Sequence, residues 1–203
     1  MSKKPIIVFE GIEGSGKTYH LQNVANFLKK KKIKFIKLRE PGGSSNSEKI
    51  RTFLMNSKFH KLTDLMLYMA SRNENYVKIL SKNVNKKIIL IDRFVDSTIA
   101  YQHYGMGVNL NFIKDLNKMI LKDTKADFTF LHIVSISNLK KRLNKRSNLN
   151  RYDKFKNNFY KKAQNGFIKL AKNKKNYLLV NSNKSVLDNK EIIINKINKL
   201  IKK

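Results

Sequence analysis

A short apolar run followed by a glycine-rich turn constrains the fold of this chain more than any other feature. Pro5-Ile6-Ile7-Val8-Phe9 is typical of a buried strand, and residues 11–18 read Gly-Ile-Glu-Gly-Ser-Gly-Lys-Thr. Apolar residues then recur at helical spacing through residues 19–32. In this strand–turn–helix setting, the pattern G-x-x-x-x-G-K-T forms a loop whose backbone N–H groups and helix N-terminus surround phosphate oxygens. We therefore predict that the chain binds a nucleoside triphosphate.

The same loop supplies contacts for the triphosphate and for a metal ion. We expect the Lys17 ammonium group to reach the β- and γ-phosphates and the Thr18 hydroxyl to ligate Mg²⁺. A carboxylate at Glu13 is unusual in such a loop, because an unpaired negative charge beside phosphates is repulsive. The predicted triphosphate-binding residues are Gly11, Ile12, Glu13, Gly14, Ser15, Gly16, Lys17 and Thr18.

Strand-like and helix-like stretches alternate along the chain, without a linker or an internal repeat. The predicted strands are residues 5–10, 33–38, 87–91, 127–133 and 176–180. The predicted helices lie near residues 17–31, 47–55, 63–82, 94–102, 109–121, 137–146, 153–172 and 186–201. This alternation predicts an α/β fold of the P-loop, three-layer type, in which helices cover both faces of a five-stranded parallel sheet. We expect residues 1–203 to form a single domain.

Charged residues follow the second and third predicted strands, at the edge of the sheet where ligands bind in such folds. Arg39 comes directly before Glu40-Pro41-Gly42-Gly43 and can grip a second phosphate, although an ordinary turn with an exposed arginine is the simpler interpretation of this motif alone. Asp92 ends the third strand, where an acidic residue positions Mg²⁺ directly or through water; the alternative is an N-cap for the next helix. Arg93 places another cation near a transferring phosphoryl group.

The composition limits the location and the partners of the chain. It contains no cysteine, and we see neither a signal peptide nor a run of the ~20 apolar residues that cross a bilayer, so we expect a cytoplasmic protein without membrane contact. The formal net charge is +30, which keeps open a second interpretation, a P-loop ATPase that binds nucleic acid. The lysines are scattered over helix faces and element ends, and this favours solvated surface charge over a nucleic acid partner.

Three motifs, in matching order and at matching spacing, resemble those of the thymidylate kinases, a family of the nucleoside monophosphate kinase group. They occupy residues 9–18, 39–43 and 92–102, and the likeness covers nearly the whole chain. The resemblance implies that the chain converts dTMP and ATP into dTDP and ADP with Mg²⁺ as cofactor. It also implies a homodimer, for which Leu65, Leu67 and Met69 are candidate contact residues, although their spacing does not distinguish core residues from contact residues.

The resemblance assigns residues to the phosphate and sugar of dTMP. Arg39 and Arg93 match the family's pair that holds the phosphate, and Glu13 matches the acid that faces the 3′-hydroxyl. Tyr101 matches the residue that packs beneath the 2′ carbon of the deoxyribose, where its ring leaves no room for a ribose 2′-hydroxyl. Ser97 matches a further polar residue of the dTMP site.

The resemblance also assigns residues to the thymine base. Tyr68 matches an aromatic residue that stacks on the base, a contact worth ~1–3 kcal/mol in other base-binding proteins. Arg72 lies one helical turn further on and is expected to donate to the thymine O4 carbonyl. This contact would reject cytosine, because cytosine has an amino donor at the same position. Gln102 matches a residue that contacts the edge of the base. Without the resemblance, Tyr68 is interpreted as an ordinary core residue.

Residues 142–152 resemble the lid of the bacterial-type members. In that branch the lid supplies arginines, and the phosphate loop lacks a basic residue between its glycines, as at Ser15. The resemblance implies that Arg142 stacks on adenine and that Arg146 and Arg151 neutralise charge on the transferring group. The alternative is a basic, mobile surface segment. The expected catalytic residues are Lys17, Arg93, Arg146 and Arg151.

Two segments depart from the family's pattern. The lid ends in Asn150-Arg151-Tyr152-Asp153, where the family commonly reads Asp-Arg-x-Glu, so the acidic flanks of the arginine are weakened. Where glycines often follow the Tyr-Gln pair, this chain has His103 and Tyr104, to which the sequence assigns no role.

Overall fold

A five-stranded parallel sheet forms the centre of the molecule, and a computed structural model describes residues 4–202 around it. The strands β1 (Ile6–Gly11), β2 (Phe35–Arg39), β3 (Ile88–Asp92), β4 (Phe128–Ile133) and β5 (Tyr177–Asn181) lie in the order β2-β3-β1-β4-β5. Each bound falls within two residues of the predicted one. The inner strands β1, β3 and β4 are buried and stand out in the sequence as near-continuous apolar runs, whereas the edge strands β2 and β5 are partly exposed. The predicted α/β fold is confirmed.

Helices cover both faces of this sheet. Within residues 4–202 they are α1 (Lys17–Lys30), α2 (Ser45–Asn56), α3 (Lys61–Asn75), α4 (Ser81–Asn83), α5 (Val95–Thr98), α6 (Leu110–Leu121), α7 (Ile136–Leu143), α8 (Asn157–Ala171) and α9 (Val186–Ile201). Several begin at a polar side chain that accepts a hydrogen bond from the first turn, as Ser44, Asn109 and Ser135 do. None of the helices in this range is both long and apolar enough to cross a membrane.

The predicted helices differ from the structure mainly near the lid. The helix predicted over 137–146 ends at Leu143, and the helix predicted over 153–172 begins only at Asn157, after a 3-10 turn at Arg151–Lys154. Asn150 and Asp153 form a capping box at the start of that turn. These local hydrogen bonds, which a helical pattern does not reveal, hold residues 151–154 in a 3-10 turn ahead of α8. Two further stretches, Tyr76–Leu80 and Ile99–Gly105, are π-helical continuations of α3 and α5.

Alternation along β1 divides the core into two layers. Ile7 and Phe9 pack with α1 and α9, whereas Ile6 and Val8 face the opposite helices. Leu65 and Met69, expected at a dimer contact, are buried in the core of this chain, with 0% and 3% of their surface exposed. Of the two alternatives that the spacing left open, the structure therefore supports the core for Leu65 and Met69, whereas Leu67 is half-buried.

The carboxyl ends of three neighbouring strands meet at one edge of the sheet. Gly11 ends β1, Arg39 ends β2 and Asp92 ends β3, and Asp92 is in register with both Phe9 and Arg39. The three sequence motifs are thus brought together by strand order alone.

Candidate active site

The phosphate loop has the backbone geometry that its glycines allow. Gly16 precedes α1 with a φ of 86°, in the left-handed region that favours glycine. At Gly11, a Cβ atom would lie 2.4 Å from the carbonyl oxygen of His132 on the neighbouring strand, so only glycine fits. The Lys17 ammonium group donates to the Ile12 carbonyl at 3.3 Å, and burial, together with the nearby positive charge of Arg93, lowers its pKa to about 8.

Thr18 and Asp92 form a pair beside this loop. The Thr18 hydroxyl donates to Asp92 Oδ2 at 2.5 Å. Asp92 Oδ1 is buried and has no hydrogen-bond partner within residues 4–202. A hydroxyl oxygen and a carboxylate with an unused oxygen are the hard oxygen ligands that Mg²⁺ prefers, so these residues fit a magnesium ion. The N-cap alternative for Asp92 is not observed, since Phe94 precedes α5.

The charge of Glu13 inside the loop is compensated by Arg93. Arg93 Nη2 lies 2.7 Å from Glu13 Oε1, while Nη1 donates to the Gly11 carbonyl at 3.0 Å and to the Ser97 hydroxyl at 3.2 Å. The Tyr101 hydroxyl donates to the second Glu13 oxygen, and the Arg93 guanidinium lies over the Tyr101 ring. Glu13 therefore serves as an anchor that orients an arginine and an aromatic ring towards the same space.

A residue that the sequence analysis missed, Glu10, supports this arrangement from below. Its carboxylate accepts from the backbone N–H groups of Phe94 and Ser97 and from the Ser97 hydroxyl, at 2.8, 3.2 and 2.5 Å. Burial and the nearby negative charge of Asp96 raise the pKa of Glu10 to about 7. Its position in a buried strand, next to the loop glycine, was the available signal.

A cavity of about 260 Å³ opens beside the loop and collects most of the predicted site residues. The predicted residues among its lining are Glu13, Lys17, Thr18, Arg39, Tyr68, Asp92, Arg93, Ser97, Tyr101, Gln102 and Arg146. The other lining residues are Glu40 and Pro41 of the second motif, Asn150 and Tyr152 of the lid, and two residues that were not predicted, Arg51 and Met55. The volume and the mixture of aromatic and cationic groups suit a small aromatic anion.

Arg51 is the most informative of the missed residues. It donates to the Pro41 carbonyl at 2.8 Å, and burial and the positive field of Arg39 lower its pKa. Arg39 is held in a two-point pair by Glu48, with N–O distances of 3.0 and 2.6 Å. Glu48 and Arg51 lie three residues apart on α2, a spacing that puts both on one face and that was the available signal. Arg39, Arg51 and Arg93 therefore surround the cavity with cations.

Arg72 is buried in the protein and does not open onto the cavity. Its side chain is 1% exposed and is not part of the cavity wall. It pairs with Glu40 at 2.6 Å and donates to Asn117 Oδ1 at 2.7 Å and to the Phe94 carbonyl at 3.0 Å. Arg72 therefore lies beside Glu40, which lines the cavity, and its donors are taken up by protein acceptors in this structure. Its predicted contact with the thymine O4 carbonyl stays a prediction.

The lid arginines occupy three different places. Arg142 donates to the Gly14 carbonyl at 2.7 Å and to the Ser182 carbonyl at 2.6 Å, so it ties the phosphate loop to the end of β5. Arg146 lines the cavity and pairs with Asp153 at 2.6 Å. Arg151 is paired with Asp64 on α3 and is not part of the cavity wall, so its predicted role at the transferring group stays a prediction.

The two departures from the family's pattern have structural explanations. Asn150 accepts from the Tyr152 N–H at 2.8 Å, and Asp153 accepts from the Asn150 N–H at 3.1 Å, so both cap the 3-10 turn. His103 Nδ1 is 2.8 Å from the Val108 carbonyl, and the ring of Tyr104 packs against Gly166 on α8. These residues stabilise the turn and the π-helical stretch rather than supply a reacting group.

Fold and site together define an α/β kinase of the P-loop class, in which a cation-lined cavity opens beside a phosphate loop. Residues 9–193 match the sequence model of the thymidylate kinase family. The chain is similar to the thymidylate kinase of Mycoplasma capricolum, with 38% identity over 159 residues that cover 75% of each protein. It is also similar to that of Wolbachia pipientis, with 39% identity over 156 residues that cover 75% of this chain and 78% of the relative.

A solved structure agrees with these relatives. The crystal structure of thymidylate kinase from Ehrlichia chaffeensis superposes with a TM-score of 0.78 at 29% identity, covering 97% of this chain and 99% of that one. The chain belongs to the thymidylate kinase family.

Proposed function

We propose that this chain transfers the γ-phosphoryl group of ATP to dTMP, with the triphosphate on the phosphate loop and dTMP in the adjoining cavity. The observation that carries the proposal is the cation-lined cavity, which opens directly beside Lys17, Thr18 and Asp92. Arg39, Arg51 and Arg93 suit the acceptor phosphate, because guanidinium groups bind phosphate oxygens in pairs. An acceptor without a phosphate would make no use of these three guanidinium groups.

Aromatic residues of the cavity suit the nucleoside part of dTMP. Tyr68 offers a ring for stacking on thymine, and Tyr101, held by Glu13 and Arg93, fills the space beside the sugar. A ring fixed in this way excludes a ribose 2′-hydroxyl by steric conflict. Gln102 lies beside them at the base end of the cavity.

Thr18 and Asp92 are the residues that would hold Mg²⁺. A magnesium ion held there would supply positive charge that offsets the negative charge of the phosphates during transfer. The chain's own contribution is alignment and positive charge, from Lys17, Arg93 and Arg146, since the acceptor phosphate is already anionic and needs no general base. Movement of the lid over the triphosphate then excludes water and prevents hydrolysis.

The remaining assignments concern the setting of the enzyme. We propose that it acts as a cytoplasmic homodimer that binds ATP and dTMP, and that its positive charge does not serve nucleic acid binding. Because Leu65 and Met69 are core residues, the dimer contact falls to apolar residues that are exposed on the helices.

A coupled assay of ADP release tests the reaction, with MgATP and dTMP, dUMP, UMP, dCMP or no acceptor in parallel. We expect strong dependence on dTMP and little turnover of UMP or dCMP. ADP release that needs no acceptor, or that rises on addition of DNA or RNA, would contradict the proposal. Lys17→Ala should abolish turnover with an unchanged circular dichroism spectrum, whereas Lys30→Ala, on the exposed end of the same helix, should retain it.

A further inference from the structure

A buried carboxylate joins the cavity to the lid. Asp64 on α3 is 1% exposed, and residues from two other elements surround it. Arg151 from the lid turn pairs with its Oδ1 atom, and the Tyr152 hydroxyl lies 3.1 and 3.2 Å from its two oxygens. Gln102 from the π-helical stretch donates its Nε2 to Asp64 Oδ2 at 3.0 Å. The four side chains form one hydrogen-bonded cluster.

The partner of Gln102 determines which end of its amide faces the cavity. An ionised carboxylate can only accept hydrogen bonds, so the NH₂ group of Gln102 must point towards Asp64. The remaining polar atom, Oε1, is buried and has no partner within residues 4–202, although Gln102 lines the cavity. Buried acceptors without a donor are uncommon, and this one lies where a ligand can supply the donor.

We infer that Asp64 is a positioning residue for base recognition, because it fixes the Gln102 amide so that a carbonyl oxygen faces the base. The inference rests on the proposed function and adds to it the means of selection. The N3–H group of thymine can donate a hydrogen bond to this oxygen. N3 of cytosine carries no proton, so it is an acceptor and cannot form that hydrogen bond. The same carboxylate holds Arg151, so base recognition and the position of the lid turn share one anchor.

Asp64→Asn gives a test with a defined direction. Arg151 keeps an acceptor at the Oδ1 position, so the new amide nitrogen takes the place of Oδ2 and faces Gln102. Gln102 must then turn its carbonyl towards this introduced amide and its NH₂ group towards the cavity. We expect the ratio of kcat/KM for dTMP to kcat/KM for 5-methyl-dCMP to fall at least tenfold. The two acceptors share the methyl group, the sugar and the phosphate and differ only at N3 and position 4.

The double variant D64N/Q102E restores the original pattern. One oxygen of the new carboxylate accepts from the amide introduced at position 64 and the other faces the base, while the total charge of the cluster is unchanged. We expect the ratio to return to within about threefold of the wild-type value. Asp96→Asn is the matched control, since it removes a carboxylate that accepts from the Tyr177 hydroxyl at 2.7 Å outside the cavity, and it should leave the ratio unchanged.

The possible outcomes separate this inference from the proposed function. Wild-type enzyme without dTMP-dependent turnover contradicts the proposed function itself. An equal loss of kcat/KM for both acceptors in D64N, or no recovery in the double variant, means that Asp64 is merely structural and overturns the inference. If neither variant folds, a crystal structure of the wild-type enzyme with dTMP decides: Gln102 Oε1 within hydrogen-bond distance of N3 supports the inference, and a Gln102 that does not contact the base overturns it.

Discussion

Several ionisable residues in and beneath the phosphate loop are buried. Lys17 and Glu10 have pKa values moved to about 8 and about 7, and in both the largest cause is burial. His132 on β4, stacked on His20 with 5.4 Å between ring centroids, has its pKa lowered by burial, by His20 and by Lys17 to about 3. The shifted pKa values of Lys17 and His132 predict how ATP affinity and the free energy of unfolding change with pH.

The shift at Lys17 predicts how ATP binding responds to pH. In the free protein the ammonium group loses its proton near pH 8, whereas triphosphate oxygens favour the charged form and raise its pKa. Above pH 8, binding therefore takes up a proton, and we expect MgATP affinity to fall up to about tenfold per pH unit. Calorimetry from pH 7 to 9.5, in buffers of different ionisation enthalpy, measures both the affinity and the proton uptake. Lys17→Met should bind weakly and without this pH dependence; equal slopes for both proteins would contradict the role of Lys17.

The shift at His132 predicts acid sensitivity of the fold. Below pH 6.5 the unfolded chain binds a proton at this residue, but the folded chain does so only near pH 3. The free energy of unfolding should therefore fall as the pH drops through this window, by up to about 1.4 kcal/mol per pH unit from this residue. His132→Leu removes the effect, so urea denaturation at pH 7, 5.5 and 4.5 should show the variant gaining on the wild type. Glu10 contributes equally to both proteins, and parallel curves would show that His132 has no such role.

At the scale of elements, the π-helical stretch Ile99–Gly105 carries Tyr101 and Gln102 and packs on α8. The contact is close because α8 has a glycine, Gly166, opposite the Tyr104 ring. A Cβ atom at Gly166 would lie 2.4 Å from Tyr104 Cδ2. Residues 99–105, which contribute Tyr101 and Gln102 to the cavity wall, are therefore held in place by α8. The contact between Tyr104 and Gly166 itself lies outside the cavity.

Gly166→Ala tests this contact. Alanine ordinarily stabilises a helix interior, but here overpacking should dominate and lower the free energy of unfolding by about 1–3 kcal/mol. The control is Asn165→Ala, one residue away on the exposed side of α8, which should be neutral or slightly stabilising. Chemical denaturation measures both. Tyr104→Ala in the Gly166→Ala background should recover part of the loss, and a fully stable Gly166→Ala would show that the two elements separate at little cost.

The elements also show what the sequence can and cannot predict. Buried parallel strands and contiguous motifs were predictable, because their signal lies in consecutive residues, as in residues 11–18 and 92–93. Arg51, Asp64 and Glu10 were not found, because their roles depend on which distant element packs against them. The ion pair of Arg72 with Glu40 was not predictable for the same reason: helical spacing gives the side of α3 on which Arg72 lies, but not the residue after β2 that packs against it. The start of α8 was misplaced because a capping box holds residues 151–154 in a 3-10 turn.

At the scale of the whole molecule, a net charge of +30 opposes association of two copies. Apolar residues are nevertheless exposed on α3, its π-helical continuation and α6, among them Met66, Val77, Phe112 and Met119. Spacings of 11 and 7 residues put each pair on one face of its helix, and α3 packs against α6. Burial of such surface is the attractive part of a dimer contact, and the charge is the repulsive part.

These opposing terms predict a dimer that salt strengthens. Sedimentation or light scattering should give twice the chain mass, and the dissociation constant should fall between about 50 and 300 mM salt, because screening weakens repulsion but leaves apolar burial in place. Met66→Glu with Met119→Glu should give a monomer, since two charges in each copy of the contact would lose their hydration. Leu187→Glu on α9, where leucine is 71% exposed, should remain dimeric.

A monomer at all salt concentrations contradicts the dimer, and a dimer in the double variant places the contact elsewhere. Retention on DNA that weakens over the same salt range would instead indicate that the charge serves a polyanion.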